Sequence, residues 1–190
     1  MWLIAGLGNP GQQYATTRHN VGFVALDRLQ HCFNFSWTKS AKFNAEIASG
    51  TFNSHKILLA KPLTYMNLSG NALQSICSYY KIPVDNLIVI HDDIDLPVGA
   101  VKFKLAGGNG GHNGLKSIDS NLGNNYHRIR VGVGRPANPN MEVADYVLGS
   151  FLKPEEEKIY SVIESVASNI GLILNREFEK FKIKISGKLN

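Results

Sequence analysis

At 190 residues and 20.9 kDa, with 44% hydrophobic and 18% charged residues, the chain fits one globular domain and is too apolar to be a disordered one. No run of about 18 apolar residues is present to span a bilayer, and Met1, Trp2, Leu3 and Ile4 lack the basic flank of a signal peptide, which points to a cytoplasmic protein. The formal charge of +5 is clustered: residues 101–135 carry Lys102, Lys104, Lys116, Arg128, Arg130 and Arg135 against Asp119 alone, and residues 176–190 carry five cations against Glu177 and Glu179. Such clustering fits a polyanion-binding face or a solvated surface.

Leu3, Ile4, Ala5 and Leu7, closed by Gly8, Asn9, Pro10 and Gly11, predict a buried strand entering a turn. After a polar loop, Asn20 is placed to cap a helix whose apolar positions are Val21, Val24, Ala25 and Leu29. Residues 44–49 alternate and 57–60 are apolar around a turn at Asn53 and Ser54, so this pair predicts a hairpin, ended by Pro62. The loop 64–70 precedes a helix over Ala72, Leu73, Ile76, Tyr79 and Tyr80. Leu87 to Ile90 form the continuous apolar run of a central strand, ending at His91, Asp92 and Asp93. Val101, Phe103 and Leu105 alternate with Lys102 and Lys104, a strand with one basic face. The glycine-rich loop 107–114 leads into a helix over 115–122, Ile129, Val131 and Val133 mark another strand, and Pro154 opens a last long helix with Glu155, Glu156 and Glu157 at its N-terminus. The class is α/β, a single domain with a twisted mixed β-sheet and helices on both faces. Ligands in such sheets gather at the carboxyl ends of central strands, here in loops after residues 7, 90 and 105.

Gly6, Gly8 and Gly11 match the dinucleotide fingerprint in spacing, but Pro10 offers no N–H and residues 29–35 hold no acid for a ribose. The loop 107–117 imitates a phosphate-binding loop, which Leu115 spoils by separating Gly114 from Lys116. Its N–H groups remain free to meet an anion or a peptide. His91, Asp92, Asp93 and Asp95 crowd one strand end, where with His19 or His112 they would suit a metal, or where a carboxylate would orient a histidine. Gly-x-Ser-x-Gly and His-Glu-x-x-His are both absent, which argues against a serine nucleophile elbow and a common zinc hydrolase. A histidine-activated water remains, with His19 as the best-placed general base. Cys32 and Cys77 have neither disulfide-framework nor metal-ligand spacing and read as reduced, buried side chains.

Collected in order, Gly6-Leu7-Gly8-Asn9-Pro10-Gly11 with Tyr14, Thr17-Arg18-His19-Asn20, Met66-Asn67-Leu68-Ser69-Gly70, His91-Asp92-Asp93-Ile94-Asp95-Leu96-Pro97, Lys102-Phe103-Lys104, Gly111-His112-Asn113-Gly114-Leu115 and Arg128-Ile129-Arg130 closely resemble the bacterial-type peptidyl-tRNA hydrolase family over roughly residues 3–148. The resemblance implies a monomeric enzyme of translation that hydrolyses the ester between a peptide and the 3′ end of tRNA. It implies His19 as the base, Asp92 as its orienting partner, and Asn9, Asn67 and Asn113 holding peptide and water, with Asn113 also facing the oxyanion. Tyr14 and Met66 would shape the cleft wall, Met66 equally suiting the core. Lys104 and Arg130 would clamp the 5′ phosphate, with Lys102 and Lys116 adding phosphate contacts. No metal, organic cofactor or obligate protein partner is implied. The basic tail 176–190 lies outside the resemblance and would contact tRNA or fray. The rival readings are an RNA-binding protein without catalysis and a metal-dependent hydrolase.

Overall fold

In a computed structural model, which describes residues 1–187, seven strands run in chain order as β1 (Trp2–Gly6), β2 (Thr38–Ser40), β3 (Ala45–Phe52), β4 (His55–Pro62), β5 (Leu87–Asp93), β6 (Val101–Leu105) and β7 (His127–Gly132). Six α-helices join them: α1 (Val21–Phe33), α2 (Ser69–Tyr80), α3 (Asn113–Leu122), α4 (Val143–Val147), α5 (Lys153–Leu174) and α6 (Phe178–Ser186). The sheet order is β2-β3-β4-β1-β5-β7-β6. Strands β4, β1, β5 and β7 are parallel, while β2, β3 and β6 are antiparallel to their neighbours, so the sheet is mixed.

The apolar runs of β1 and β5 follow from their place. Both are interior strands covered on both faces, and their residues alternate between two core layers. Ile4, Ile88 and Ile90 face the layer with α1, α5 and α6, whereas Leu3, Ala5, Leu87 and Val89 face the layer with α2 and α3. On β6 the alternation is one-sided, with Val101 and Phe103 buried and Lys102 and Lys104 exposed.

Two glycines set the approach of α1. A Cβ on Gly6 would collide with the carbonyl of Gly22, and one on Gly22 with the carbonyl of Ile90. Backbone therefore lies on backbone where α1 begins, which carries the residues just before it over the ends of β1 and β5.

Cys77 is buried as expected, whereas Cys32, near the C-terminal end of α1, is exposed. Three further local expectations change. Asn20 stands at the N-cap of α1 but makes no side-chain cap; its amide bonds both backbone groups of Asn9, accepting from N–H at 2.8 Å and donating to C=O at 2.9 Å. Strand β2 and helix α4, of three and five residues, are too short to leave a periodic signal. The basic tail is not a frayed end over 178–186: it is helix α6, with Phe181 and Ile185 buried and Phe178 and Phe181 packed on Phe103. Its charge is partly neutralised by the pairs Lys180–Glu177 and Lys182–Glu179. Lys188 lies outside the described residues.

Candidate active site

His19 sits on a 3₁₀ turn, Arg18–Asn20, between the exit of β1 and the start of α1. Three anchors fix that turn. Asn20 ties it to Asn9, Arg18 N–H donates to Gly149 C=O at 3.0 Å, and the buried Arg18 guanidinium lies over the Tyr146 ring while donating to Tyr146 C=O and Glu155. His19 Nδ1 lies 2.8 Å from Asp92 Oδ2, at the C-terminal end of β5.

The other oxygen of Asp92 is also engaged, since His112 Nε2 lies 2.8 Å from Oδ1. His112 is the N-cap of α3, and its Nδ1 accepts from the N–H groups of Gly114 and Leu115. With Nδ1 an acceptor, Nε2 must carry the ring proton and donate to the carboxylate. An ionised carboxylate only accepts, so the His19 proton facing it is on Nδ1, and in the neutral ring Nε2 is then the bare nitrogen. Asp92 is buried, which alone would raise its pKa, yet the adjacent His112 and His19 hold it well below the usual carboxylate range.

This pair opens on a cavity of about 880 Å³. Asn9, Tyr14, His19, Met66, Asn67, Asp92, Asn113, Lys104 and Arg130 all line it, so residues scattered over the sequence are brought to one cleft. Asn9 uses Oδ1 to accept the Met66 N–H at 2.7 Å, which fastens the loop after β4 to the loop after β1. Asn67 and Asn113 are exposed to the cleft. Met66 takes both roles open to it, being buried in the α2/α3 layer and lining the cavity.

At the other end the cleft is basic. The antiparallel register sets Lys102 opposite Arg130 and Lys104 opposite Arg128, on one face of β6 and β7. Lys104 is exposed, as expected, but Arg130 is half-buried and bonded to Asp93 at 2.7 Å rather than projecting freely. Lys102 is exposed and is not among the residues lining the cavity. Arg128 is fully buried over the Tyr126 ring and donates to the carbonyls of Gly107 and Gly108 at 2.8 and 2.6 Å, bracing the glycine loop.

Arg18, Tyr65 and the α4 side chains Val143 and Val147 are parts of the site region that periodicity and spacing did not assign, whereas His112 was a candidate beside the acidic strand end. The glycine-loop motif contains His112, but its role depends on Asp92, twenty residues away in sequence. His19, Asp92 and His112 have donor atoms within 4.8 Å of one another, the spacing of a metal site. The donor chemistry does not fit one well: Nδ1 of His112 is taken by two N–H groups, so Nε2 could ligate only by losing its proton.

The family described as Peptidyl-tRNA hydrolase matches residues 3–189, which brings the basic tail inside the matched region. A peptidyl-tRNA hydrolase of Rickettsia africae is 55% identical over 186 residues, covering 98% of this chain and all of the relative. One of Rickettsia bellii is 52% identical over 185 residues, again covering all of the relative. The crystal structure of peptidyl-tRNA hydrolase from Acinetobacter baumannii superposes with a TM-score of 0.93 at 34% identity, covering 97% of this chain and 94% of that one. The chain thus belongs to the peptidyl-tRNA hydrolase family, an enzyme that hydrolyses the ester joining a peptide to the 3′ end of tRNA.

Proposed function

We propose that His19 activates the hydrolytic water. Unprotonated Nε2 takes a proton as the water oxygen bonds to the ester carbonyl carbon, and the Nδ1–H bond to Asp92 steadies the resulting imidazolium. Asn113 and Asn67 donate to the carbonyl oxygen as it becomes an oxyanion, and the Asn9 side-chain amide holds the peptide main chain. Collapse of the tetrahedral intermediate breaks the bond to the ribose 3′ oxygen, which receives the proton from His19. The products are tRNA with a free 3′ hydroxyl and a peptide carboxylic acid, which ionises to the carboxylate by releasing the second proton of the water to solvent.

Lys104 and Arg130 clamp the 5′ phosphate, with Lys102 adding a more distant contact from the same strand face. Phosphate contacts position a ligand without reading its bases, which suits an enzyme that accepts many tRNAs. Tyr14 and Met66 shape the wall beside the ester. We read the protein as a monomer that acts in the cytoplasm on peptidyl-tRNA without an obligate protein partner. No helix among the described residues is long and apolar enough to cross a membrane.

The observation that carries this reading is the 2.8 Å His19–Asp92 contact inside the cleft. His19→Ala is expected to lower kcat on N-acetyl-aminoacyl-tRNA by about 100-fold or more while its circular dichroism and Tm stay near wild type. Retained turnover would remove His19 from the role of base.

A further inference from the structure

Tyr65 occupies a backbone conformation that glycine takes freely and other residues almost never take. Its φ of 63° and ψ of 159° lie far from the left-handed helical region that Asn34 and Lys81 use at helix ends. The conformation is pinned from both sides: Met66 N–H is held by Asn9 Oδ1 at 2.7 Å, and Tyr65 C=O accepts from Leu68 N–H at 3.2 Å and Thr64 Oγ1 at 3.1 Å. If the turn alone mattered, glycine would make it without strain. Core packing does not account for the ring either, because Tyr65 is 54% exposed and lines the cleft.

The sheet order says which part of the substrate the ring meets. Asp92 lies at the end of β5, with β7 and β6 on one side and β1 and β4 on the other. The basic groups Lys104 and Arg130 come from β6 and β7, whereas Tyr65 follows β4. With the tRNA entering from the basic side and the ester at His19, the acyl chain extends toward β4. We propose that Tyr65 is a specificity-determining residue whose exposed ring receives the side chain of the peptide's C-terminal residue, favouring aromatic and large apolar ones.

This assignment rests on His19 as the base and on Lys104 and Arg130 as the tRNA end. The test measures kcat/KM on N-acetyl-phenylalanyl-tRNA and N-acetyl-glycyl-tRNA for wild type, Tyr65→Gly, Tyr65→Ala and Tyr65→Phe, together with Tm. The ratio of the two values is expected to fall about fivefold in both the Gly and Ala variants and to be retained in Tyr65→Phe, an edge or face contact with a second ring being the interaction lost. Tyr65→Gly is expected to melt above Tyr65→Ala, the reverse of the order at an ordinary position, because only glycine relieves the strain. A ratio within twofold of wild type in both truncated variants would overturn the proposal, as would equal losses on the two substrates. Were the His19 assignment itself at fault, His19→Ala would stay active on both substrates, a result independent of the ratio.

Discussion

Asp92 faces two N–H donors with two acceptor oxygens, and that pairing decides what a conservative change does. In Asp92→Asn one oxygen becomes an NH₂ group, so a donor is set against either His19 Nδ1–H or His112 Nε2–H. His112 cannot readily exchange its proton, since Nδ1 is held by the N–H groups of Gly114 and Leu115. The conflict is therefore relieved at His19, whose proton moves to Nε2, the atom proposed to take the proton of the hydrolytic water. Asp92→Asn should lower kcat by about 100-fold or more, with KM within about threefold of wild type. Single-turnover kinetics on N-acetyl-aminoacyl-tRNA would check it, and a change confined to KM would assign Asp92 to binding. The pairing of His19 with Asp92 was legible in the sequence through the motifs that carry both. His112 stood beside His19 as an alternative partner of the strand end, but that both histidines share the Asp92 carboxylate was not legible, because it arises only when the glycine loop folds back over β5.

Helix α6 illustrates how an element can look like one thing in sequence and serve as another in the fold. Its lysines drew the reading toward tRNA or fraying, yet the pattern Phe178, Phe181, Ile185 is an apolar stripe at helical spacing. Phe181 is fully buried and meets Phe103 edge-on at 5.3 Å between ring centroids, sealing the edge of the sheet behind the basic face of β6. Phe181→Ala should cost about 3–5 kcal/mol in urea unfolding through the cavity it leaves. Lys182→Ala, which removes only an exposed pair with Glu179, should stay within about 0.5 kcal/mol of wild type. Equal effects of the two substitutions would show that α6 is not packed in solution. The apolar run 87–90 of β5 was plain from composition because burial on both faces favours apolar side chains along it. Strand β2 and helix α4 were not, since a few residues cannot display a period and their existence depends on partners distant in sequence: β3 for the one, the Arg18 turn for the other.

The molecule as a whole has its proposed catalytic centre and part of its acid sensitivity in the same place. His91 is buried beside the cleft, its Nδ1 bonded to Asp92 C=O and its Nε2 without a hydrogen-bond partner among the described residues. Burial, then the neighbouring His112, pushes its pKa down to about 4 against the opposing pull of Asp92 and Asp93. His127, stacked on Phe103 and packed against Phe178, is lowered as well, mainly by burial. Both histidines bind protons more weakly folded than unfolded, where the pKa is about 6.5, so the unfolded chain takes up more protons as the pH falls below that value. Stability is therefore complete above about pH 6.5 and is lost progressively toward pH 4. Asp92 acts lower still, because its depressed pKa keeps its contribution intact until the solution is more acid than an ordinary aspartic acid's pKa. The fold is expected to lose about 2–3 kcal/mol between pH 7.5 and 4.5 through His91 alone, in a range where carboxylates are still largely ionised. Urea unfolding at these two pH values measures it, with His91→Gln as the comparison. The variant should lose less on acidification than wild type and keep only the part due to His127 and the remaining groups. If the two proteins lose stability in parallel, His91 titrates as an ordinary histidine, and the acid sensitivity belongs elsewhere in the molecule.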